Sequence, residues 1–129
     1  MTGIRERDRL LASMEPELHA QPYGYVSVPV VPPGLVPFAT VAEAEGLTVV
    51  ALCADLAAAR VAHQGDWARI SLVVHSDLAA VGLTAAIAAA LGARGISANV
   101  VAGYYHDHVF VQWDRRDEAL AALRALSGV

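Results

Sequence analysis

The clearest hydrophobic pattern lies in the second half of the chain. The run Ile70–Val74, mostly β-branched and apolar apart from Ser71, predicts a buried strand. After three polar residues, leucine and isoleucine recur at every fourth position, and this apolar stripe predicts a helix over Leu78–Ala93. Gly95 follows where a left-handed residue commonly ends a helix. A strand followed by a helix therefore opens this half.

The pattern continues with two strands and a second helix. Ile96–Ala102 predicts a strand, Gly103–Asp107 a turn, and the alternation from Val109 to Trp113 a third strand, so the two strands form a hairpin. Asp114 is placed to cap a final helix with an acidic first turn, which ends at Gly128. The resulting order is β-α-β-β-α. A ferredoxin-like unit has one more strand, which we expect from the first half or from another subunit.

The first half has weaker patterns. Tyr23–Val31 alternates as a strand does, and Val36–Val41 predicts another strand followed by one helical turn at Ala42–Glu45. Gly46–Leu52 is a strong strand, and a helical stretch from Asp55 to Val61 follows it. This half therefore also mixes strands with short helices.

A boundary between the halves is predicted at Gln64–Asp66. It divides the chain into residues 1–65, a degenerate N-terminal half, and residues 66–129. The predicted fold class is α+β and ferredoxin-like, of βαββαβ type, with two pseudo-repeated halves, antiparallel sheets and helices on one face.

Composition narrows the function classes. Apolar residues make up 56% of the 129 residues, enough for a core and for a surface that meets a partner subunit. The net charge is −4 and lysine is absent, which disfavours nucleic-acid binding. With one cysteine, no signal-peptide pattern and no apolar run long enough to span a membrane, we expect a cytoplasmic protein.

Three stretches carry a resemblance to a known family. HSDLAAVGLTAAIAAALGARGISANVVAGYYHDHVFVQ resembles the ACT domain, in particular small bacterial proteins with two ACT halves, and LLASMEPEL and FATVAEAEGLTVV are also similar to that family. The chain is further similar to the tandem ACT units of aspartate kinases. The resemblance implies an ACT fold that binds an amino acid or a similar small ligand and regulates enzymes, as a homodimer, without catalytic activity and without a cofactor.

The resemblance also implies where the ligand binds. In ACT domains it lies between the loop after the first strand and the start of the second strand. The implied ligand-binding residues are His75, Ser76, Asp77, Leu78, Val81, Gly82, Leu83, Asn99 and Val100.

Residue chemistry alone leaves two explanations open at these positions. Free N–H groups at a helix N-terminus suit a carboxylate, Asp77 could accept from an ammonium group, and Gly82 permits close approach. Alternatively, Ser76 and Asp77 cap the helix, and the glycine serves helix packing. Asn99 either binds a ligand or forms a hydrogen bond across the hairpin.

A rival hypothesis places a metal at His106 and His108, which would share a face if they lie in a strand. No further ligand completes the set, because His63 is isolated in sequence and Cys53 lies in a strand-like apolar run, where a thiol is usually a small buried hydrophobe. No nucleophile elbow or phosphate loop is present. The remaining alternative is an assembly module that binds no ligand.

Overall fold

The computed structural model describes Arg9, residues 11–73 and residues 82–127. The chain folds as two compact units. The small unit comprises Ala20–Trp67, and the large unit comprises the described residues of Met1–His19 and Ala68–Val129. None of the described helices is long and apolar enough to cross a membrane.

The elements follow one another in a mixed α/β order. The strands are β1 (Pro16–Leu18), β2 (Tyr23–Val28), β3 (Ala39–Glu43), β4 (Gly46–Leu52), β5 (Gln64–Leu72), β6 (Asn99–Ala102) and β7 (Asp107–Gln112). The helices are α1 (Cys53–Ala58), α2 (Gly82–Gly92) and α3 (Arg116–Leu126), the last preceded by a 3-10 turn at Trp113–Arg115.

The sheet of the small unit has the order β3-β4-β2-β5, and each neighbouring pair in it is antiparallel. This is the strand order of a ferredoxin-like unit, counted from β2 as its first strand. No helix occurs in residues 29–38, where such a unit has its first helix. Leu56 of α1 is fully buried and packs with Val49 and Ala51 of β4. The small unit is therefore ferredoxin-like with one helix missing.

The large unit is complete. Its strand order is β1-β5-β7-β6, with α2 and α3 supplying Ile87 and Leu123 to a core that also contains Ile70 and Val109. β1 pairs antiparallel with β5, from Pro16 opposite Leu72 onward. The edge strand absent from the β-α-β-β-α sequence order thus comes from the first half of the chain. The predicted ferredoxin-like fold with two repeats is confirmed.

Two sequence-based predictions in the first half need correction. The helical turn predicted at Ala42–Glu45 is wrong, because Ala42 and Glu43 belong to β3 and lie opposite Leu47 and Gly46 of β4. Cross-strand pairing here overrides the helix propensity of alanine and glutamate. The helix predicted from Asp55 begins two residues earlier, as α1.

In the second half, β5 begins at Gln64, six residues before the start of the predicted strand. The hydrophobic pattern missed this part of the strand because its first residues are polar and exposed. The predicted cap by Asp114 is wrong: that residue lies in the 3-10 turn, and no side chain caps α3 at Arg115. The predicted left-handed residue is confirmed, since Gly95 has φ +70° and Ile96 donates its N–H to the Leu91 carbonyl at 3.0 Å.

Candidate functional site

Most of the predicted ligand loop lies outside the described residues. This applies to His75, Ser76, Asp77, Leu78 and Val81. Gly82 and Leu83 are the first residues of α2. Leu83 is 1% exposed and packs into the core of the large unit.

Asn99 and Val100 lie in β6, at the edge of the large unit's sheet. Asn99 is exposed and lies opposite Phe110, and its Nδ2 donates to the Phe110 carbonyl at 3.4 Å. This contact is the cross-hairpin hydrogen bond that the sequence left as one alternative. Val100 is half-buried against the core. The contribution of both residues to ligand binding stays a prediction.

A groove of about 420 Å³ adjoins the end of β5 in the large unit. Side chains of both charge signs line it: those of Glu15 and Glu17, at and beside β1, and that of Arg124 in α3. Val73, the last described residue before the predicted ligand loop, also lines it. A groove of this volume is in the range of small-molecule sites.

Of the predicted metal ligands His106 and His108, His108 already contacts polar side chains of β5. The Nδ1 atom of His108 is 2.8 Å from the Ser71 Oγ and accepts from the Arg69 Nε at 3.4 Å. The same Ser71 Oγ is 2.7 Å from the Nε2 atom of His19. Burial, and after it the Arg69 charge, lower the pKa of His108 to about 4, so its imidazole is neutral at pH 7. An arginine at the imidazole nitrogen opposes a second cation at that atom.

The structure instead brings together three ligand-type side chains in the small unit: Cys53, His63 and Asp66, called here the Cys–His–Asp cluster. Their potential ligand atoms all lie within 4.8 Å of one another, and this is the one such group of three or more in the described ranges 9, 11–73 and 82–127. The Asp66 Oδ1 is 3.6 Å from the Cys53 Sγ and 3.3 Å from the His63 Nε2. The expectation that Cys53 and His63 are isolated from other ligand-type residues is therefore wrong.

Local backbone features produce this cluster. Cys53 is the first residue of α1, and its N–H bonds to the Pro22 carbonyl at 3.0 Å. The helix ends after six residues, where Arg60 has φ +59° and Val61 donates to the Leu56 carbonyl at 2.9 Å. This early end turns the chain back toward β5.

A β-bulge then aligns the other two side chains. Tyr23 lies opposite Trp67 and Tyr25 opposite Gln64, so β5 has one extra residue at this point. Gly65, with φ +69°, lies within the bulge. Residues three apart in a regular extended chain point to opposite faces, and the extra residue lets His63 and Asp66 meet.

A glycine on the neighbouring strand makes room for the imidazole. A Cβ atom at Gly24 would lie 2.8 Å from the His63 Cγ and 2.9 Å from the Leu56 Cδ1. Only a residue without a side chain fits here while His63 keeps its place.

The electrostatics of the cluster argue against a nucleophilic role. Burial, together with the negative charge of Asp66 and the hydrogen bond to it, raises the pKa of the Cys53 thiol to about 11. A catalytic cysteine requires the opposite shift, toward the thiolate. The three side chains nevertheless offer one sulfur, one nitrogen and one oxygen ligand. The sequence signals that could have found them are the glycine between His63 and Asp66 and the single cysteine ten residues earlier.

Comparison with known proteins adds two family matches. Models of the ACT domain match residues 2–66 and residues 62–125. A search of curated proteins found no match.

Solved structures resemble most of the chain. A Vibrio cholerae protein, described as of unknown function and a possible transport protein, is 44% identical with a TM-score of 0.86, and the match covers 97% of this chain and 98% of that one. The ligand-free regulatory subunit of aspartate kinase from Thermus thermophilus has 12% identity and a TM-score of 0.56, covering 86% and 95%. The allosteric aspartate kinase of Clostridium acetobutylicum has 9% identity and a TM-score of 0.65, covering 87% of this chain and 34% of that enzyme. The latter two are similar in fold alone.

Proposed function

This chain belongs to the ACT domain family, and on that premise we propose that it binds an amino acid or a similar small zwitterion and acts as a regulatory module without catalysis of its own. ACT domains typically bind small ligands such as amino acids in regulation. The proposal includes a homodimer as the working form.

The observation that carries the choice of ligand is the groove beside the end of β5. An α-amino acid needs a donor for its carboxylate and an acceptor for its ammonium group. Arg124 offers the donor, and Glu15 or Glu17 offers the acceptor. The predicted ligand loop begins at His75, two residues after Val73, which lines the groove. Groove and loop would then serve one ligand.

Thermal unfolding in the presence of each of the twenty amino acids tests this proposal. A ligand that binds the native state raises the apparent stability, by about 2.7 kcal/mol when its concentration is one hundred times Kd. We expect one amino acid, or a few related ones, to raise the Tm at millimolar concentration. No stabilisation by any of them would contradict the proposal.

Two variants locate the site. Arg124→Gln and Gly82→Val should each remove the stabilisation while leaving the ligand-free Tm close to that of the original chain. Arg94→Gln and Gly92→Val are the matched controls, because Arg94 is exposed and does not line the groove and a Cβ atom at Gly92 meets no neighbour within 4 Å. Unchanged binding in Gly82→Val would move the site away from the predicted loop.

An assembly function is the second candidate, favoured by an exposed aromatic pair. Tyr104 and Tyr105, between β6 and β7, are 79% and 68% exposed, with ring centroids 5.0 Å apart. Exposed aromatic residues are frequent anchors of protein interfaces. A pure assembly module forms an oligomer whose size by light scattering is insensitive to amino acids and falls in Tyr104→Ser/Tyr105→Ser.

A further inference from the structure

We propose that the Cys–His–Asp cluster of Cys53, His63 and Asp66 is a binding site for a divalent transition-metal ion of the zinc class. The site is separate in sequence from the predicted amino-acid loop and does not depend on the function proposed above. It rests on the spacing of the ligand atoms, on their chemical types and on the way the backbone holds them.

The spacing fits one tetrahedral ion. With Zn–S, Zn–N and Zn–O bonds of usual length, tetrahedral angles place sulfur and oxygen about 3.6 Å apart and nitrogen and oxygen about 3.4 Å apart. The Asp66 Oδ1 lies 3.6 Å from the Cys53 Sγ and 3.3 Å from the His63 Nε2. The third pair is also within 4.8 Å. Two of the three distances therefore already match those around one tetrahedral ion.

The ligand types define the class of metal. A thiolate and an imidazole favour zinc-like ions over Mg²⁺ and Ca²⁺, which prefer oxygen ligands alone. Three protein ligands leave the fourth tetrahedral position for water or a small molecule. The Asp66 side chain is 55% exposed and that of His63 22% exposed, so an ion can enter from solvent.

The surroundings hold the ligands in place before any ion binds. Gly65 holds the bulge that brings His63 beside Asp66, and Gly24 leaves the space that the imidazole ring occupies. Cys53 is fixed through its backbone at the start of α1. Such preorganisation lowers the cost of assembling a metal site.

Binding of Co²⁺ to the reduced 129-residue chain tests the proposal. A tetrahedral Co²⁺ site with sulfur ligation gives visible absorption and a near-ultraviolet thiolate-to-cobalt band. Because Cys53 is the sole cysteine, that band can come only from this residue. We expect one Co²⁺ per chain and full displacement by equimolar Zn²⁺. Absence of the band, or one ion shared by two chains, would overturn the proposal.

Variants assign the remaining ligands. Cys53→Ser should abolish the charge-transfer band, and His63→Ala and Asp66→Asn should each weaken Co²⁺ binding at least tenfold. The double variant His106→Ala/His108→Ala is the control, and it should bind Co²⁺ as the original chain does. Loss of binding in that control, or unchanged affinity in both His63→Ala and Asp66→Asn, refutes the site.

A second measurement needs no variant. Zn²⁺ should slow alkylation of the Cys53 thiol at least tenfold, whereas the same concentration of Mg²⁺ should have no effect. Equal alkylation rates with and without Zn²⁺ would contradict the proposal even if a variant failed to fold.

Discussion

The two units share a strand order but differ in what surrounds the sheet. The large unit has both helices of a ferredoxin-like unit and the more extensive buried cluster, whereas the small unit has α1 alone and a buried cluster around Leu56. Yet the small unit, lacking a helix, is where the chain places its cysteine, a histidine and an aspartate together. Loss of a structural element therefore does not mean loss of a candidate site.

The largest expected effects come from the two cores. Leu123→Ala in the large unit and Leu56→Ala in the small unit both delete a fully buried leucine side chain. Each should lower the free energy of unfolding by about 2–5 kcal/mol. We expect the larger loss at Leu123, because the more extensive buried cluster around it can relax less into the cavity that the substitution leaves. Urea unfolding measures both. A larger loss at Leu56 would reverse the comparison.

The next largest effect is expected from added bulk at Gly24, which tests the small unit against the large one. Gly24→Ala places a Cβ atom against His63 and Leu56, and should lower the free energy of unfolding by about 1–3 kcal/mol. It should also weaken Co²⁺ binding, because the imidazole must move. Gly92→Ala in the large unit, where the added atom meets nothing within 4 Å, should leave Co²⁺ binding unchanged. Equal Co²⁺ affinity in both variants would show that the imidazole does not need this space.

The small unit offers a matched pair of glycines at positive φ, Gly65 within the bulge and Gly34 outside it. Gly65→Ala and Gly34→Ala both put a side chain at positive φ, +69° and +81°, and each should cost about 1–2 kcal/mol of stability. Only Gly65→Ala should weaken Co²⁺ binding, since Gly34 has no neighbour within 4 Å of the added atom. Chemical denaturation and cobalt titration separate the two effects. If both variants lost Co²⁺ equally, backbone strain in general would explain the loss.

The smallest effect concerns pH and the large unit. The pKa of His108 falls from 6.5 to about 4 on folding, so the unfolded chain binds more protons between these values. Its contribution to stability is therefore present above pH 6.5 and lost as the pH falls toward 4, and partial exposure keeps it modest. Urea unfolding across this pH range should show that the free energy of unfolding falls less steeply with decreasing pH in His108→Gln. An unchanged pH dependence of the free energy of unfolding would show that His108 is not its cause.

The sequence predicted the large unit better than the small one, for physical reasons. The stripe of Leu83, Ile87 and Leu91 and the stop at Gly95 have local causes, so periodicity predicted them. The pairing of β1 with β5 joins distant segments and has no local signature. The implied ligand residues stay predictions.

The Cys–His–Asp cluster could not be predicted from the spacing of its residues in the sequence, for a related reason. Its geometry depends on a bulge in β5 and on α1 ending after six residues. One extra residue in a strand reverses which side chains share a face, and no hydrophobic pattern marks it. The polar, exposed start of β5 also concealed the first six residues of that strand.

The origin of β1 has a consequence for dissecting the molecule. The segment that borders β5 comes from the opposite half of the chain, and Ser127 donates its hydroxyl to the Met14 carbonyl at 2.9 Å beside it. A fragment cut at residue 66 would keep both helices of the large unit but expose the backbone N–H and C=O groups along one border of its sheet. Such a fragment would recruit a strand from another molecule, so its behaviour in isolation would report self-association rather than the properties of the native unit.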